Sequence, residues 1–375
     1  MLIRYKKYIY NYLALLIVVI IIIISFNIFM NSYYTNRPFM ALQKQPSSLI
    51  IGTSTLNFGI DPYNQNIINE NYYSIPVGGI KNKLTWIKII NSLNKLDNVI
   101  LGLDFFEFNY YRNVDEINKG DILNNKFSIL INLIKELTSI DSFLYSLRKY
   151  FGFSNEIVLE NGHVWLNDYT GIHTFSGLKH DELETYLPAP NKSFIIHSPD
   201  KTLDKLDYLN QIIDYCNNNE INLRMIIPPR HISLFEIEKH LGLDIYFEKW
   251  KIALVTLVLE NNNNNNNSSN KSLELWDFSN INSITAEKLP IQGKQNMKWF
   301  RDRIHFKKEF GDLVLDTIFN NNEANHNIGT KINIDNINEH LNYIRDNYKN
   351  YSLINSELIE TIKTNMSKLL NKNAL

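Results

Sequence analysis

Short apolar runs alternate with amphipathic segments along residues 48–320. The runs at 48–51, 72–77 and 98–108 are rich in Ile, Val, Leu and aromatic residues and predict strands, whereas 81–93 places apolar residues on one helical face. The first half of 98–108 is nearly all apolar, which is typical of a parallel strand covered on both faces. This alternation predicts a parallel α/β sheet.

The alternation resumes in the second half of the chain. Apolar runs predict strands at 222–227 and 273–278. Helices are predicted at 203–217, 231–241, 246–259 and 307–320. We therefore expect one elaborated α/β domain over residues 48–320.

Three segments depart from this pattern. Residues 110–190 are aromatic and turn-rich, and they predict a helical or irregular insertion, a candidate lid over the carboxyl edge of the sheet. The Asn-rich tract at 261–270 has nothing to bury and predicts an exposed loop. Residues 321–375 predict a polar helical tail without evident chemistry.

The N-terminus carries a long apolar run at 12–30, preceded by basic residues within 1–11. About 20 apolar residues suffice to span a bilayer core. A cleaved signal peptide is the alternative, but the run is long for one and no Ala-x-Ala-like site follows it. The pattern favours an uncleaved signal anchor with 1–11 in the cytoplasm, a linker at 31–47 and the main domain outside the cytoplasm.

Composition excludes several classes of function. The 38 Lys and Arg residues balance 39 Asp and Glu residues, which argues against a nucleic-acid partner. The nine His are scattered and Cys216 is the single cysteine, so the sequence predicts no metal site. Gly52 and Gly59 frame a loop that lacks the Lys of a phosphate-binding loop. We expect no cofactor.

Candidate chemistry lies in two blocks. Residues 49–62, LIIGTSTLNFGIDP, place Ser54 just after the first strand, at the edge where open α/β sheets bind ligands. Residues 299–311, WFRDRIHFKKEFG, space Asp302 and His305 as Asp-x-x-His between the last strand and the last helix. An imidazole oriented by a carboxylate can activate a serine hydroxyl. The alternative is a common Gly-Thr-Ser turn and an ordinary charged surface loop.

Together the two blocks resemble the first and last blocks of the SGNH (GDSL-type) hydrolase superfamily. The resemblance covers about residues 48–320 and implies a flavodoxin-like three-layer sandwich. It implies that Ser54 is the nucleophile, that Asp302 and His305 complete a triad, and that the Gly79 N–H binds the oxyanion. GTSTLNFGIDP is most similar to membrane-anchored members associated with bacterial cell-surface polysaccharide and acylation systems.

The chain departs from this family at Asp104. The third block of the family normally supplies an Asn side chain to the oxyanion, and an ionised carboxylate cannot donate a hydrogen bond. Asn109 or Arg230 could supply another donor, or Asp104 could be protonated. Arg230 and His231 follow Pro228-Pro229 at a strand end and are further candidates for substrate binding, although a structural role at a helix start is an equal alternative for His231.

The resemblance implies a serine esterase or O-acyltransferase that acts on an acylated cell-envelope glycan or a similar polymer. The alternative, favoured by Asp104, is a catalytically weak or inactive protein of the same fold that binds glycan or an envelope-assembly partner.

Overall fold

The computed structural model describes residues 2–29, 40–112, 144, 147, 151, 156–166, 185–187, 193–199, 203–264, 272–289, 297–320 and 328–372. Its helices and strands follow one another in this order: α1 (Leu2–Phe29), β1 (Ser48–Gly52), α2 (Ser54–Gly59), β2 (Tyr72–Pro76), α3 (Ile80–Leu93), β3 (Asn98–Gly102), β4 (Glu156–Val158), β5 (Val164–Leu166), α4 (Lys205–Asn218), β6 (Asn222–Ile227), α5 (Ile232–His240), α6 (Asp244–Asn264), β7 (Leu273–Asp277), α7 (Lys308–Asn320), β8 (Thr330–Lys331), α8 (Ile337–Ile354) and α9 (Ser356–Lys372).

The predicted α/β sheet is confirmed, with six strands in the order β2-β1-β3-β6-β7-β8. Strands β2, β1, β3, β6 and β7 pair with their neighbours in parallel. In this arrangement Leu49 of β1 lies opposite Val99 of β3. Strand β8, which the sequence pattern does not predict, pairs antiparallel with β7 at the edge. The sheet is therefore parallel across its centre, as the apolar runs indicate.

Both faces of the sheet are covered by helices. Leu49 and Ile51 of β1 are buried in the core that includes α3, α4 and α6, whereas Ile50 points to the opposite core with α2 and α7. The same alternation recurs in β3 and β6. Because successive strand residues face opposite sides, burial on both faces explains the continuous apolar runs.

The strand order reverses beside β1. The chain first places β2 on one side of β1 and then places β3 on its other side. The connections therefore diverge at the carboxyl ends of β1 and β3, which is where open α/β sheets form a ligand-binding crevice. Ser54 follows β1 and Asp104 follows β3, so both residues lie at this crevice.

Two predicted boundaries were wrong. The strand predicted over 98–108 ends at Gly102, and Phe105–Phe108 form a 3₁₀ helix in which the Glu107 N–H donates to the Asp104 carbonyl. Helix α6 continues to Asn264, into the tract predicted as an exposed loop. The reason is that Asn261 is buried and its amide donates to Asn210 on α4 at 2.8 Å. Residues 265–271 lie outside the described part.

Most of the predicted insertion at 110–190 also lies outside the described residues. Its described part includes the antiparallel pair β4 and β5, which the sequence does not predict. The turn between these strands packs beside β2 and α2, because the Asn161 carbonyl accepts from the Ser74 N–H at 2.8 Å and the Gly162 carbonyl accepts from the Asn57 amide at 2.9 Å.

Helix α1 contains the apolar run of the predicted anchor. Among the residues that the structure describes, no helix is both long enough and apolar enough to cross a membrane. At the other end of the chain, α9 packs on α5 through Ile237, Ile362 and Met366. The tail also reaches the sheet, because His340 Nε2 lies 2.8 Å from Asp277 Oδ2 at the end of β7.

Candidate active site

Ser54 lies at the start of α2, directly beyond the buried strand β1. Thr53 caps this helix, because its hydroxyl accepts a hydrogen bond from the Thr55 N–H at 3.2 Å. The preceding Gly52 leaves little room for a side chain, since a β-carbon there would lie 3.0 Å from Leu56 Cβ. The tight strand-to-helix turn leaves Ser54 exposed at the sheet edge.

The Asp302 carboxylate organises the loop that carries His305. Asp302 Oδ1 accepts from the backbone N–H groups of Ile304 and His305, both at 2.8 Å. A bridge between Phe300 and Phe306 closes the loop. The three-residue offset thereby directs Asp302 Oδ2 to His305 Nδ1, at 2.6 Å.

The structure brings the two sequence blocks together. Ser54 Oγ lies 2.8 Å from His305 Nε2 across 251 positions of sequence. With the His305 Nδ1–H donating to Asp302, Nε2 is left to accept the Ser54 proton. The side chains of His305 and Asp302 are 23% and 14% exposed, so the proton acceptor is open to substrate while its carboxylate is shielded.

Electrostatics keep Asp302 ionised. Burial would raise the pKa of its carboxyl, but the charge of His305 and the hydrogen bonds from His305 and Ile304 outweigh burial and lower the pKa to about 2. Phe58 and the His305 ring pack in a T-shaped arrangement, with ring centroids 5.2 Å apart. The arrangement thus provides the three parts of an activated serine nucleophile: a hydroxyl, a proton acceptor and a carboxylate that orients the acceptor.

The expected oxyanion role of Gly79 does not fit its contacts. Its N–H donates to Glu107 Oε1 at 2.7 Å, so this donor is occupied. Glu107 also pairs with Lys83 at 2.5 Å and accepts from the Asp104 N–H at 3.4 Å. Burial raises the pKa of Glu107, against the opposing charge of Lys83. One buried carboxylate thus ties the segments after β2 and β3 together.

Asp104 lies beside the nucleophile but serves as an acceptor. Its carboxylate accepts the Thr53 hydroxyl at 2.6 Å and the Thr55 hydroxyl at 3.2 Å. Asn109 does not replace the missing donor, because its side-chain N–H groups donate to the carbonyls of Tyr186 and Ser193 at 2.9 and 3.0 Å.

Among the described residues, neither Arg230 nor His231 makes a hydrogen bond to Ser54, Asp302 or His305. Arg230 makes a bidentate ion pair with buried Glu238, at 2.7 and 2.6 Å, and stacks on the Phe247 ring. His231 caps α5: its Nδ1 accepts from the Ser233 N–H at 3.2 Å, and burial lowers its pKa to about 4. Of the two open interpretations of His231, the contacts favour the structural one.

A pocket opens between the ends of β3 and β6, beside the triad. Its walls are mainly aromatic and aliphatic, and Asp104 and Arg230 are its charged residues. Among the described residues, no group of His, Cys, Asp and Glu side chains is arranged to hold a metal ion. The residues that line the pocket next to the site are Thr55, Leu103, Phe105, Phe106, Ile227 and Ile304.

Sequence reasoning missed Glu107 and Lys83. Both side chains have no exposed surface, although both are of ionisable residue types. Glu107 stands inside the apolar run 98–108, where a carboxylate needs a partner if it is buried. That isolated charge is the signal that could have identified it.

The chain matches no family model, no curated protein and no solved structure.

Proposed function

We propose that this chain is a membrane-anchored, extracytoplasmic serine esterase or O-acyltransferase of the SGNH type. The observation that carries the proposal is the hydrogen-bonded series Ser54–His305–Asp302, with 2.8 and 2.6 Å separations. The order of the parallel strands, β2-β1-β3-β6-β7, and helices on both faces are consistent with a flavodoxin-like SGNH sandwich.

The reaction follows from the donors and acceptors in place. His305 Nε2 takes the proton as Ser54 Oγ attacks an ester carbonyl, and Asp302 stabilises the imidazolium that forms. His305 then returns the proton to the departing alkoxide, which leaves an acyl-serine. Water entering second gives hydrolysis, and an alcohol entering second gives acyl transfer. Neither outcome requires a cofactor.

The substrate class is proposed from the motif resemblance and the neighbouring pocket. An acylated cell-envelope glycan carries both the ester that Ser54 would attack and hydroxyl-bearing rings. Apolar and aromatic walls beside a few polar groups are typical of small-molecule binding sites. The anchor and the extracytoplasmic location rest on the charge and apolar pattern of residues 1–30. The proposal includes no nucleic-acid partner.

The test is labelling of the full-length chain with a fluorophosphonate probe, together with turnover of p-nitrophenyl acetate. We expect labelling and turnover in the wild type, and the loss of both in Ser54→Ala and His305→Ala. The matched controls are Ser47→Ala and His240→Ala, which change a serine and a histidine outside the site and should react normally. Labelling that persists in Ser54→Ala would contradict the proposal.

A second candidate is an inactive protein of the same fold that binds a glycan or an envelope-assembly partner. The occupied N–H of Gly79 and the acceptor role of Asp104 favour it, because neither the N–H expected at Gly79 nor a side-chain donor at position 104 is then offered to an oxyanion. The loss of one such donor costs about 10²–10³ in rate in a serine protease. A folded wild-type chain that neither labels nor turns over, but binds glycan as well as Ser54→Ala does, would support this candidate.

A further inference from the structure

The carboxylate of Asp104 contacts both residues that flank the nucleophile. Its Oδ2 lies 2.6 Å from the Thr53 hydroxyl and its Oδ1 lies 3.2 Å from the Thr55 hydroxyl. Asp104 is only 5% exposed, so water does not compete strongly for these oxygens. The two contacts lie on either side of Ser54 in sequence, and in the described part of the chain the Ser54 Oγ bonds to His305 and not to Asp104.

The direction of these hydrogen bonds matters. Both hydroxyls donate, and the two Asp104 oxygens accept. Because the Thr53 hydroxyl donates its proton to Asp104, its oxygen remains available as an acceptor. It accepts a hydrogen bond from the Thr55 N–H at 3.2 Å. Asp104, the Thr53 side chain and the Thr55 backbone thus form one connected set that spans the backbone of Ser54.

We propose that Asp104 is a positioning residue for the Ser54 nucleophile, acting through Thr53 and Thr55. It holds the start of α2 so that Ser54 Oγ stays within 2.8 Å of His305 Nε2. This inference rests on the proposed serine chemistry and deepens it. It also gives the departure at position 104 a physical meaning, because the position here orients the nucleophile turn and does not donate to an oxyanion.

A carboxylate suits this role better than an amide does. Both oxygens of Asp104 accept, so each threonine has its own acceptor. An Asn at this position would offer one oxygen and one NH₂ group, so only one of the two contacts could keep its direction and the other hydroxyl would have to accept instead. Misplacement of reacting groups by about 1 Å can cost about 10²-fold in rate. We therefore expect Asp104→Asn to react more slowly than the wild type.

The test measures inactivation of the full-length chain by a fluorophosphonate over a range of probe concentrations, which separates the maximal inactivation rate from the probe affinity. Asp104→Ala and Thr53→Val should lower the maximal rate about 10- to 100-fold and leave the affinity within about threefold. Thr53→Ser keeps the hydroxyl and should react like the wild type. The double variant Thr53→Val/Asp104→Ala should be no slower than the slower single variant, because both changes break the same contact.

Several results would overturn the proposal. A wild-type maximal rate in Asp104→Ala, a rate in Thr53→Ser as low as in Thr53→Val, or multiplying effects in the double variant would each do so. Thermal unfolding of every variant shows whether it is folded, and the Thr53→Val and Thr53→Ser pair decides the matter if Asp104→Ala does not fold. A folded wild-type chain that never labels would overturn the serine chemistry itself, whereas normal labelling with an unaffected Asp104→Ala would overturn only the positioning role.

Discussion

A β-carbon on Gly311 would lie 1.7 Å from the carbonyl oxygen of Gly59. Gly59 ends α2, which begins with Ser54, and Gly311 lies in the first turn of α7, just after His305. The absence of both side chains lets the two segments that carry the proposed nucleophile and base approach closely. This contact between helices explains how a 2.8 Å hydrogen bond is held across the two blocks.

The first prediction concerns this close approach. Gly311→Ala gains helix propensity worth about 1 kcal/mol, but a backbone clash of this size outweighs it. We expect a net loss of about 1–3 kcal/mol in the free energy of unfolding and a fluorophosphonate labelling rate lower by about 10- to 100-fold. Urea unfolding and labelling kinetics measure the two effects.

Gly242→Ala is the matched control. Gly242 has φ of +70° and no atom within 4 Å of a β-carbon, so Ala there costs about 1 kcal/mol in backbone strain without a clash. It lies beyond α5, and its labelling rate should stay normal. Equal labelling by the Gly311 and Gly242 variants would argue against a role for the α2–α7 contact at the site.

The second prediction concerns the ion pair of Lys83 and Glu107, which has no exposed side-chain surface. Removing one partner leaves the other buried without its counter-charge, which typically costs about 3–5 kcal/mol. We expect Lys83→Met and Glu107→Gln each to lose stability on this scale in urea unfolding. The double variant should lose less than the sum of the two, because neither charge is then left unpaired.

The exposed pair of Lys95 and Glu220 provides a control for this comparison. Its separation is 3.5 Å and its side chains are 67% and 66% exposed. Solvent screens such a pair, so Lys95→Met should change stability by less than about 1 kcal/mol. Equal losses from Lys83→Met and Lys95→Met would show that burial does not govern the Lys83 interaction.

The fold was predictable where burial is continuous. Strands β1, β3 and β6 lie in the centre of the sheet, and burial on both faces selects the apolar runs that mark them in sequence. Strand β8 has two residues, Thr330 and Lys331, on an antiparallel edge, too short to show a period. The strand predicted over 98–108 was too long for another reason. The phenylalanines at its end are apolar, but the backbone forms a 3₁₀ helix after Asp104.

The candidate site was predictable where its chemistry is local. Asp302 and His305 are three residues apart, and the hydrogen bonds that unite them lie within one loop. The occupant of the Gly79 N–H was not predictable, because Glu107 reaches it from 28 positions away. Arg230 was predicted correctly to follow a strand end. The orientation of its side chain, however, is set by the ion pair with Glu238 on the following helix, and sequence spacing does not identify that partner.

The third prediction concerns Asp302. Asp302→Asn keeps the size of the side chain but removes its charge, and its NH₂ group, when it faces His305 Nδ1, favours the ring form whose Nε2 carries the proton and cannot accept from Ser54. The equivalent change in a serine protease lowers kcat by roughly 10⁴-fold. We expect a comparable loss in turnover of p-nitrophenyl acetate. A variant that retains more than a tenth of wild-type turnover would exclude Asp302 from the role of orienting carboxylate.

The fourth prediction concerns two buried histidines. Burial lowers the pKa of His231 to about 4, and burial together with the charge of Arg301 lowers the pKa of His163 to about 4, against the opposing charge of Asp61. The unfolded chain binds these protons near pH 6.5, so it binds more protons than the native state between about pH 6.5 and 4. Their contribution to stability is complete above that window and is lost as the pH falls through it.

Each histidine should contribute about 1.4 kcal/mol per pH unit within the window. His231→Asn retains a side-chain acceptor at the cap of α5 but removes one titrating group, so the pH dependence of its unfolding free energy should be shallower than that of the wild type by this amount. His163→Asn should have the same effect, and the double variant twice the effect. Urea unfolding at pH 7, 6 and 5 measures these slopes, and the difference between variant and wild type cancels the titration of the buried carboxylates. Parallel curves for wild type and His231→Asn would show that this ring takes up its proton in the folded state as readily as in the unfolded chain.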